Sequence, residues 1–376
     1  IDTCCQCLEN VSSDKIFYEA IKSYYTGMVE EKISAANIMA AKAFLETEPD
    51  YTYAAARLLL LREYQEAIGH IQSFESIKTE YPNYFAQFIH KAVELELLSP
   101  DLLSFDLKLL GTYLKPKRDF LFRHMGLQTL YDRYFIHVEG RRVEIPQIFW
   151  MRVAMGLAKK EGANKNQRAI EFYDVLSSFR FMSSTPTLFN SGTIHSQLSS
   201  CFLTTIEDDL LHIFKCVQDD AMLSKWSGGL GNDWTNVRAM GSRIKGTNGK
   251  SQGIIPFLKV ANDTAVAVNQ GGKRQGAMCA YLEVWHLDIE EFLELRKNTG
   301  DDRRRTHDMH TASWIPDLFM KRVKENGPWT LLSPHEAPDL HHIYGREFEE
   351  RYAVYEQMAK DGKIKQAKTI QALDLW

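Results

Sequence analysis

Cys201 closes a stretch rich in hydroxyls, Phe181 to Cys201, which reads FMSSTPTLFNSGTIHSQLSSC. Thr185 lies in its Ser-Thr-Pro-Thr turn and Ser200 next to the thiol. A hydroxyl can donate to a phosphate or ribose oxygen without bringing a charge, and a thiol can deliver electrons by closing to a disulfide. Taken alone, Ser and Thr beside Pro186 more often satisfy local backbone groups, and a lone Cys at a strand start is more often a small apolar residue. Two Gly-rich segments follow: SGGLGNDWTNVRAMGSRIKG from Ser227 and NQGGKRQGA from Asn269. In the first, Gly228 and Gly229 would let a ribose or base approach the backbone, although a plain tight turn is the commoner cause of a Gly pair. From Arg238 to Gly253 there are four basic residues, Arg238, Arg243, Lys245 and Lys250, with glycines between them and no acid. That pattern suits anion binding. Asp208 and Asp209 precede an apolar helical stretch, and an acid there can accept from a nucleobase or a ribose hydroxyl.

The elements that must position these groups change character along the chain. Up to about Arg180 the sequence reads as successive helices, among them AANIMAAKAFLETE, YTYAAARLLLLREYQEAI with Asp50 as its cap, PNYFAQFIHKAVELELL, IPQIFWMRVAMGLAKK and RAIEFYDVLSSFRF. After Ser196 strands alternate with helices. CFLTTI predicts a buried strand, and the helix after it carries an apolar stripe of Leu210, Ile213, Phe214 and Val217 that must be covered, by the chain itself or by a second copy. GGLG reads as a loop, AMCAYLEVWH as a buried strand, and Asp288 as the N-cap of DIEEFLELRKN. ASWIP, DLFMKRVKEN and WTLLSP continue the alternation, which predicts parallel pairing through crossovers.

Composition narrows the class. The chain has 376 residues, 44% of them apolar, and a net charge of -4, which suits a soluble protein of more than one domain and argues against a general nucleic-acid binder. No run reaches the roughly 18 to 20 apolar residues of a membrane span, and no signal sequence opens the chain, so the expected location is cytoplasmic. The first residue is Ile, which predicts a trimmed start. Six cysteines lack a paired framework, and the cluster Cys4, Cys5, Cys7 lacks the further ligands of a zinc site, so no metal site is expected. Arg303, Arg304 and Arg305 beside Asp301 and Asp302 read as a solvated turn, and His286 as structural.

Together the three segments resemble the large, catalytic subunit of class I ribonucleotide reductase, in order from about Tyr51 to about Lys365. The resemblance implies an α/β fold: an N-terminal all-helical domain followed by the first half of a ten-stranded α/β barrel. The implied division is residues 1–48 as the remnant of an ATP-cone-like helical segment, 49–195 as the helical domain, and 196–376 as an incomplete barrel. It further implies that Thr185, Ser200, Cys201, Gly229, Gln270 and Arg274 touch substrate, and that Cys201 is one of the two redox thiols. Asp208, Asp209, Leu210, Arg238, Ile244 and Lys245 would form the allosteric specificity site. Gln270, Lys273 and Arg274 would lie on a loop passing that signal to the substrate.

The implied activity is conversion of ribonucleoside diphosphates to deoxyribonucleoside diphosphates by thiyl-radical chemistry, with dNTP or ATP effectors and no tightly bound cofactor in this chain. Implied partners are the C-terminal half of the large subunit, a small subunit with a dinuclear metal radical cofactor, a second copy in a homodimer, and thioredoxin or glutaredoxin as reductant. The radical cysteine and the second redox cysteine of the family would lie beyond Trp376, so the expectation is the front part of a reductase, inactive by itself. Two other readings remain at this point: a non-catalytic deoxynucleotide sensor, and part of a cobalamin-dependent class II reductase.

Overall fold

The structure, a computed structural model, describes residues 1–69, 73–226, 228–268 and 276–376. It divides into two compact units, Ile1–Leu198 and Ser199–Trp376. No helix among the described residues is long and apolar enough to cross a membrane.

The first unit is helical apart from a two-stranded hairpin at 137–142. Its principal helices include α1 (Glu30–Lys42), α2 (Tyr51–Ile68), α3 (Phe74–Glu94) and α4 (Pro146–Ala158). Helix α2 ends at Gly69, whose φ of 92° is the left-handed conformation glycine supplies at helix ends. Asp50 occupies its N-cap position, but the Asp50 side chain makes no capping bond. Helix α3 begins eight residues before the expected PNYF segment (Phe74 against Pro82), with Ser73 capping Ser76 N and Pro82 inside the helix.

Helix α4 starts with Pro146 in the first turn, where a missing N–H costs nothing, and is buried on nearly every side. Ile148, Phe149, Trp150, Met151 and Val153 are fully buried there, so the rest of the unit is built around this helix. Residues 1–48 lie in the same unit, and Cys4, Ile16 and Ile38 join the same core.

The second unit holds a four-stranded parallel sheet in the order β1 (Cys201–Thr205), β2 (Gly229–Asp233), β3 (Met278–Glu283), β4 (His310–Trp314). Helix α5 (Leu210–Lys225) connects β1 to β2, and α6 (Ile255–Ala267) lies between β2 and β3. One face of the sheet buries Leu230, Met278, Ala280 and Leu282.

Three expectations change here, and a fourth, the covering of the α5 stripe, is met only in part by the chain itself. Strand β1 is not buried: it is an edge strand, Cys201 and Thr205 are exposed, and Leu203 is 81% exposed. GGLG is not a loop throughout, because Gly229 to Gly231 open β2, and its glycines are what let that strand pair closely. A Cβ on Gly231 would lie 2.7 Å from Leu203 Cδ2 and 3.0 Å from a ring carbon of Tyr281. The apolar stripe of α5 is only partly covered, because Ile213 is buried while Leu210 and Phe214 are exposed, as is neighbouring Leu211. Finally, WTLLSP does not extend the parallel alternation: β5 (Pro328–Leu332) pairs antiparallel with β6 (Ala367–Gln371) across the long helix α7 (Gly345–Lys360).

Candidate functional site

In the first unit, Thr185 is the first residue of the short helix Thr185–Asn190. Its Oγ1 lies 3.1 Å from the Tyr134 hydroxyl, and it lines a cavity of about 580 Å³ with aromatic walls that include Tyr134, Trp150 and Phe179. The segment is held from behind by Arg152, which is fully buried. Its guanidinium pairs with Glu144 through Nε–Oε1 at 2.6 Å and Nη2–Oε2 at 3.2 Å, and donates to the carbonyls of Ser191 at 2.6 Å and Leu188 at 3.3 Å. A planar fork with five donors can serve both groups at once, since one side neutralises a buried carboxylate while the other fixes two carbonyls at the end of the Thr185 helix.

In the second unit, Ser200 and Cys201 stand at the amino end of β1. Cys201 is an exposed free thiol, and Ser200 Oγ lies 3.6 Å from its sulfur. Gly229 is the register partner of Cys201 and donates its N–H to Ser200 O at 2.7 Å. A Cβ at Gly229 would meet only Ser200 O, at 3.3 Å. Gly228 is the tighter position, because its Cβ would come within 2.9 Å of the Phe202 ring and 3.0 Å of Leu223 O. The unit thus presents a thiol, a hydroxyl and a bare backbone together on an open edge.

The predicted effector residues gather at the opposite end of β1 and beyond β2. Asp209 caps α5 by accepting from His212 N at 2.9 Å. Asp208 pairs with Arg238, whose Nε lies 3.0 and 2.8 Å from the two carboxylate oxygens, while Nη1 donates to Arg243 O at 2.7 Å. The Arg238 charge is therefore already matched by Asp208 and the pair acts as a brace. Leu210, Ile244 and Lys245 are exposed, the last two on a small hairpin closed by the Arg243–Lys250 bridge and an Ile244 N to Gly249 O bond of 3.1 Å. Arg243, Lys245 and Lys250 all fall on this hairpin and are exposed, which gathers positive charge on a loop. Gln270, Lys273 and Arg274 lie outside the described residues.

Sequence reasoning missed what anchors that hairpin. Asp288 occupies the N-cap position of the following helix, but its side chain makes no capping bond; its carboxylate accepts from Met240 N at 2.9 Å and Ile254 N at 3.1 Å, tying down both flanks of the basic loop. Gly253, at φ 72°, is required beside it, since a Cβ there would sit 2.3 Å from Asp288 Oδ2. His286 is buried and orients the same segment. Its Nδ1 accepts from Asp288 N at 3.0 Å and its Nε2 faces Val237 O at 2.9 Å, and burial pushes its pKa down, so the ring is neutral with the proton on Nε2. Ser242, inside the loop, donates to Gln366 Oε1 at 2.6 Å. The Trp-His-Leu-Asp run was visible in sequence, but nothing local showed that its Asp reaches a loop 48 residues earlier.

Comparison with known proteins places the two units in one family. The family model for the ribonucleotide reductase barrel domain matches residues 199–376, and that for the ribonucleotide reductase all-alpha domain matches residues 120–196. The ribonucleoside-diphosphate reductase subunit alpha of Chlamydia muridarum is 57% identical over 358 residues, covering 95% of this chain and 34% of the relative. Its counterpart from Helicobacter pylori strain J99 is 42% identical over 371 residues, covering 98% of this chain and 45% of the relative. The large subunit from Monkeypox virus is 37% identical over 366 residues, covering 96% and 46%. The chain spans between a third and a half of the length of these relatives. The matched domains meet at the boundary between the two units, and with these relatives they show that the chain belongs to the ribonucleotide reductase large-subunit family.

Proposed function

We propose that this chain supplies substrate contacts, one redox thiol and the effector site of an enzyme that reduces ribonucleoside diphosphates to deoxyribonucleoside diphosphates. The observation that carries the reading is Cys201, an exposed free thiol beside the Ser200 hydroxyl and Gly229 at the amino end of a parallel strand. In the overall reaction the C2′–OH of the ribose is replaced by hydrogen and leaves as water, while two thiols lose two electrons and two protons and join as a disulfide. Cys201 is one of those thiols; the other, with the thiyl radical that takes the 3′ hydrogen, belongs to polypeptide outside this chain. Thr185 and Ser200 are each assigned a hydroxyl bond to the nucleotide, with Gln270 and Arg274 as further contacts.

The exposed cations of the 243–250 hairpin support a triphosphate-binding role, with Asp208, Asp209, Leu210, Arg238, Ile244 and Lys245 forming the effector site for dNTP or ATP. The exposed Leu210, Leu211 and Phe214 on α5 support a second copy of the chain as partner. A small subunit carrying a dinuclear metal radical cofactor and a thioredoxin or glutaredoxin reductant complete the system. The Cys201 thiol beside the Ser200 hydroxyl favours the enzyme over a pure sensor, since sensing needs only the basic hairpin.

Equilibrium binding to the full-length protein tests the division of labour. Lys245→Ala weakens deoxynucleoside triphosphate binding about tenfold, as losing one charge-assisted contact of about 1.4 kcal/mol would. The same variant leaves ribonucleoside diphosphate binding unchanged, and Thr185→Ala has the reverse pattern. Equal losses for both ligands in both variants would overturn the assignment.

A further inference from the structure

The carboxyl ends of the parallel strands carry a second constellation that the redox and effector assignments leave unused. Thr205, Asp233, Glu283 and Trp314 are the last residues of β1, β2, β3 and β4, and all four line one cavity of about 600 Å³. Crevices at the carboxyl ends of parallel strands are where α/β sheets bind ligands. Cys201 is at the other end of β1, about 13 Å away at roughly 3.3 Å per residue, so this cavity is separate from the redox thiol.

His341 is brought to the same place by the loop after β5. Its Nε2 lies 3.1 Å from Asp233 Oδ2 and its Nδ1 2.5 Å from Glu283 Oε1. With a carboxylate facing each nitrogen both positions donate, and these bonds hold the imidazolium, with its pKa raised to about 10. Two carboxylates and one imidazolium leave a net charge of about one negative unit. Acceptor capacity is also left over, since a carboxylate offers about four lone-pair sites. Asp233 receives Thr235 N at 3.0 Å, Thr235 Oγ1 at 2.7 Å and His341, while Glu283 receives His341 and the Trp285 indole N–H. Among the described residues both carboxylates thus keep room for a further donor, and the uncompensated charge favours a positive one. The walls suit the same guest. Trp314 is 65% and Tyr344 87% exposed, offering aromatic faces to a cation, and Leu203 offers an apolar surface to a stem.

We propose that this cavity binds an organic cation, an ammonium or guanidinium on an aliphatic stem, with its head toward Asp233 and Glu283 and its stem against Trp314 and Leu203. The cation has two possible sources of the same chemistry: a free small molecule, or a Lys or Arg side chain of polypeptide outside these 376 residues, since the relatives are more than twice as long as the chain.

Calorimetric titration of the 376-residue chain with agmatine tests the proposal, with butylurea as a neutral comparator of similar shape. Agmatine binds saturably and at least tenfold more tightly than butylurea. Asp233→Asn weakens it about tenfold, and Trp314→Ala, a change at an exposed side chain that leaves the His341 bonds intact, weakens it about threefold. Absence of saturable agmatine binding, equal binding of butylurea, or full affinity in the Trp314 variant would overturn it. Repeating the titration on the full-length protein separates the sources, and both results support a cation site. Exclusion of agmatine identifies a side chain of the longer polypeptide, and retained binding a free small cation.

Discussion

Replacing Arg152 by Met tests the claim that one buried guanidinium fixes the Thr185 segment. The substitution keeps most of the volume but removes both bonds to Glu144 and the donors to Ser191 O and Leu188 O. Glu144 is itself fully buried and, among the described residues, keeps only the Ile136 N–H, at 3.1 Å, to satisfy its charge. Breaking a buried pair by removing one partner costs about 3–5 kcal/mol, and the orphaned carbonyls push the loss toward the upper end. With a urea m-value of about 3 kcal/mol/M, the midpoint for the helical unit falls by about 1–2 M. The companion variant Arg152→Met with Glu144→Leu removes the stranded charge and recovers about half of the loss or more, the remainder reflecting the carbonyls and the Ile136 N–H. The assay is urea denaturation followed by far-UV circular dichroism on the wild type, the single variant and the double variant. A single-variant loss under about 1 kcal/mol, or a double variant no more stable than the single, would refute the reasoning.

Two further outcomes concern a buried carboxyl and a crowded glycine. Asp119 is fully buried, which pushes its pKa up to about 6 against the donors Tyr64, Tyr81 and Gln147, at 2.5, 2.6 and 2.6 Å. A raised carboxyl pKa means the folded state binds the proton more tightly, so the stability of wild type relative to Asp119→Asn rises by up to about 3 kcal/mol as pH falls from 6 to 4; a difference that stays constant with pH in urea titrations would contradict this. Gly231→Val forces a Cβ into Leu203 and Tyr281, lowering stability by about 1–3 kcal/mol and loosening β1 from β2, which hydrogen exchange of the Phe202 to Thr205 amides reports; unchanged exchange would sink it.

The helices and the parallel order of the sheet were legible because their signals are local. The apolar spacing of α2 and α4 and the Val, Tyr and Leu content of β3 and its flank mark the elements at sight, and the change near Ser196 marks the boundary between the units. What was not legible depends on neighbours distant in sequence. Strand β1 looks apolar enough to be buried, yet its place at the sheet edge leaves Leu203 in solvent. The Gly228–Gly231 run looks like a turn because the reason for its glycines, the crowding by Phe202, Leu203 and Tyr281, lies on other strands. Asp288 sits where a cap is expected, but the loop it anchors ends at Ile254. Of the proposed site, the basic run from Arg238 to Lys250 was marked by residue type and spacing, while Cys201 and Ser200 were singled out by the family resemblance. The pairing of Asp208 with Arg238 across 30 residues, and the meeting of Asp233, Glu283 and His341, required the fold.

The most direct test of the functional account is turnover of the full-length Cys201→Ser protein, assembled with its small subunit and a dithiol reductant, on a labelled ribonucleoside diphosphate. The account predicts that substrate binding persists within about twofold while deoxyribonucleotide formation falls by at least about a thousandfold, because one of the two electron-donating thiols is gone. Deoxyribonucleotide formation at the wild-type rate would contradict it.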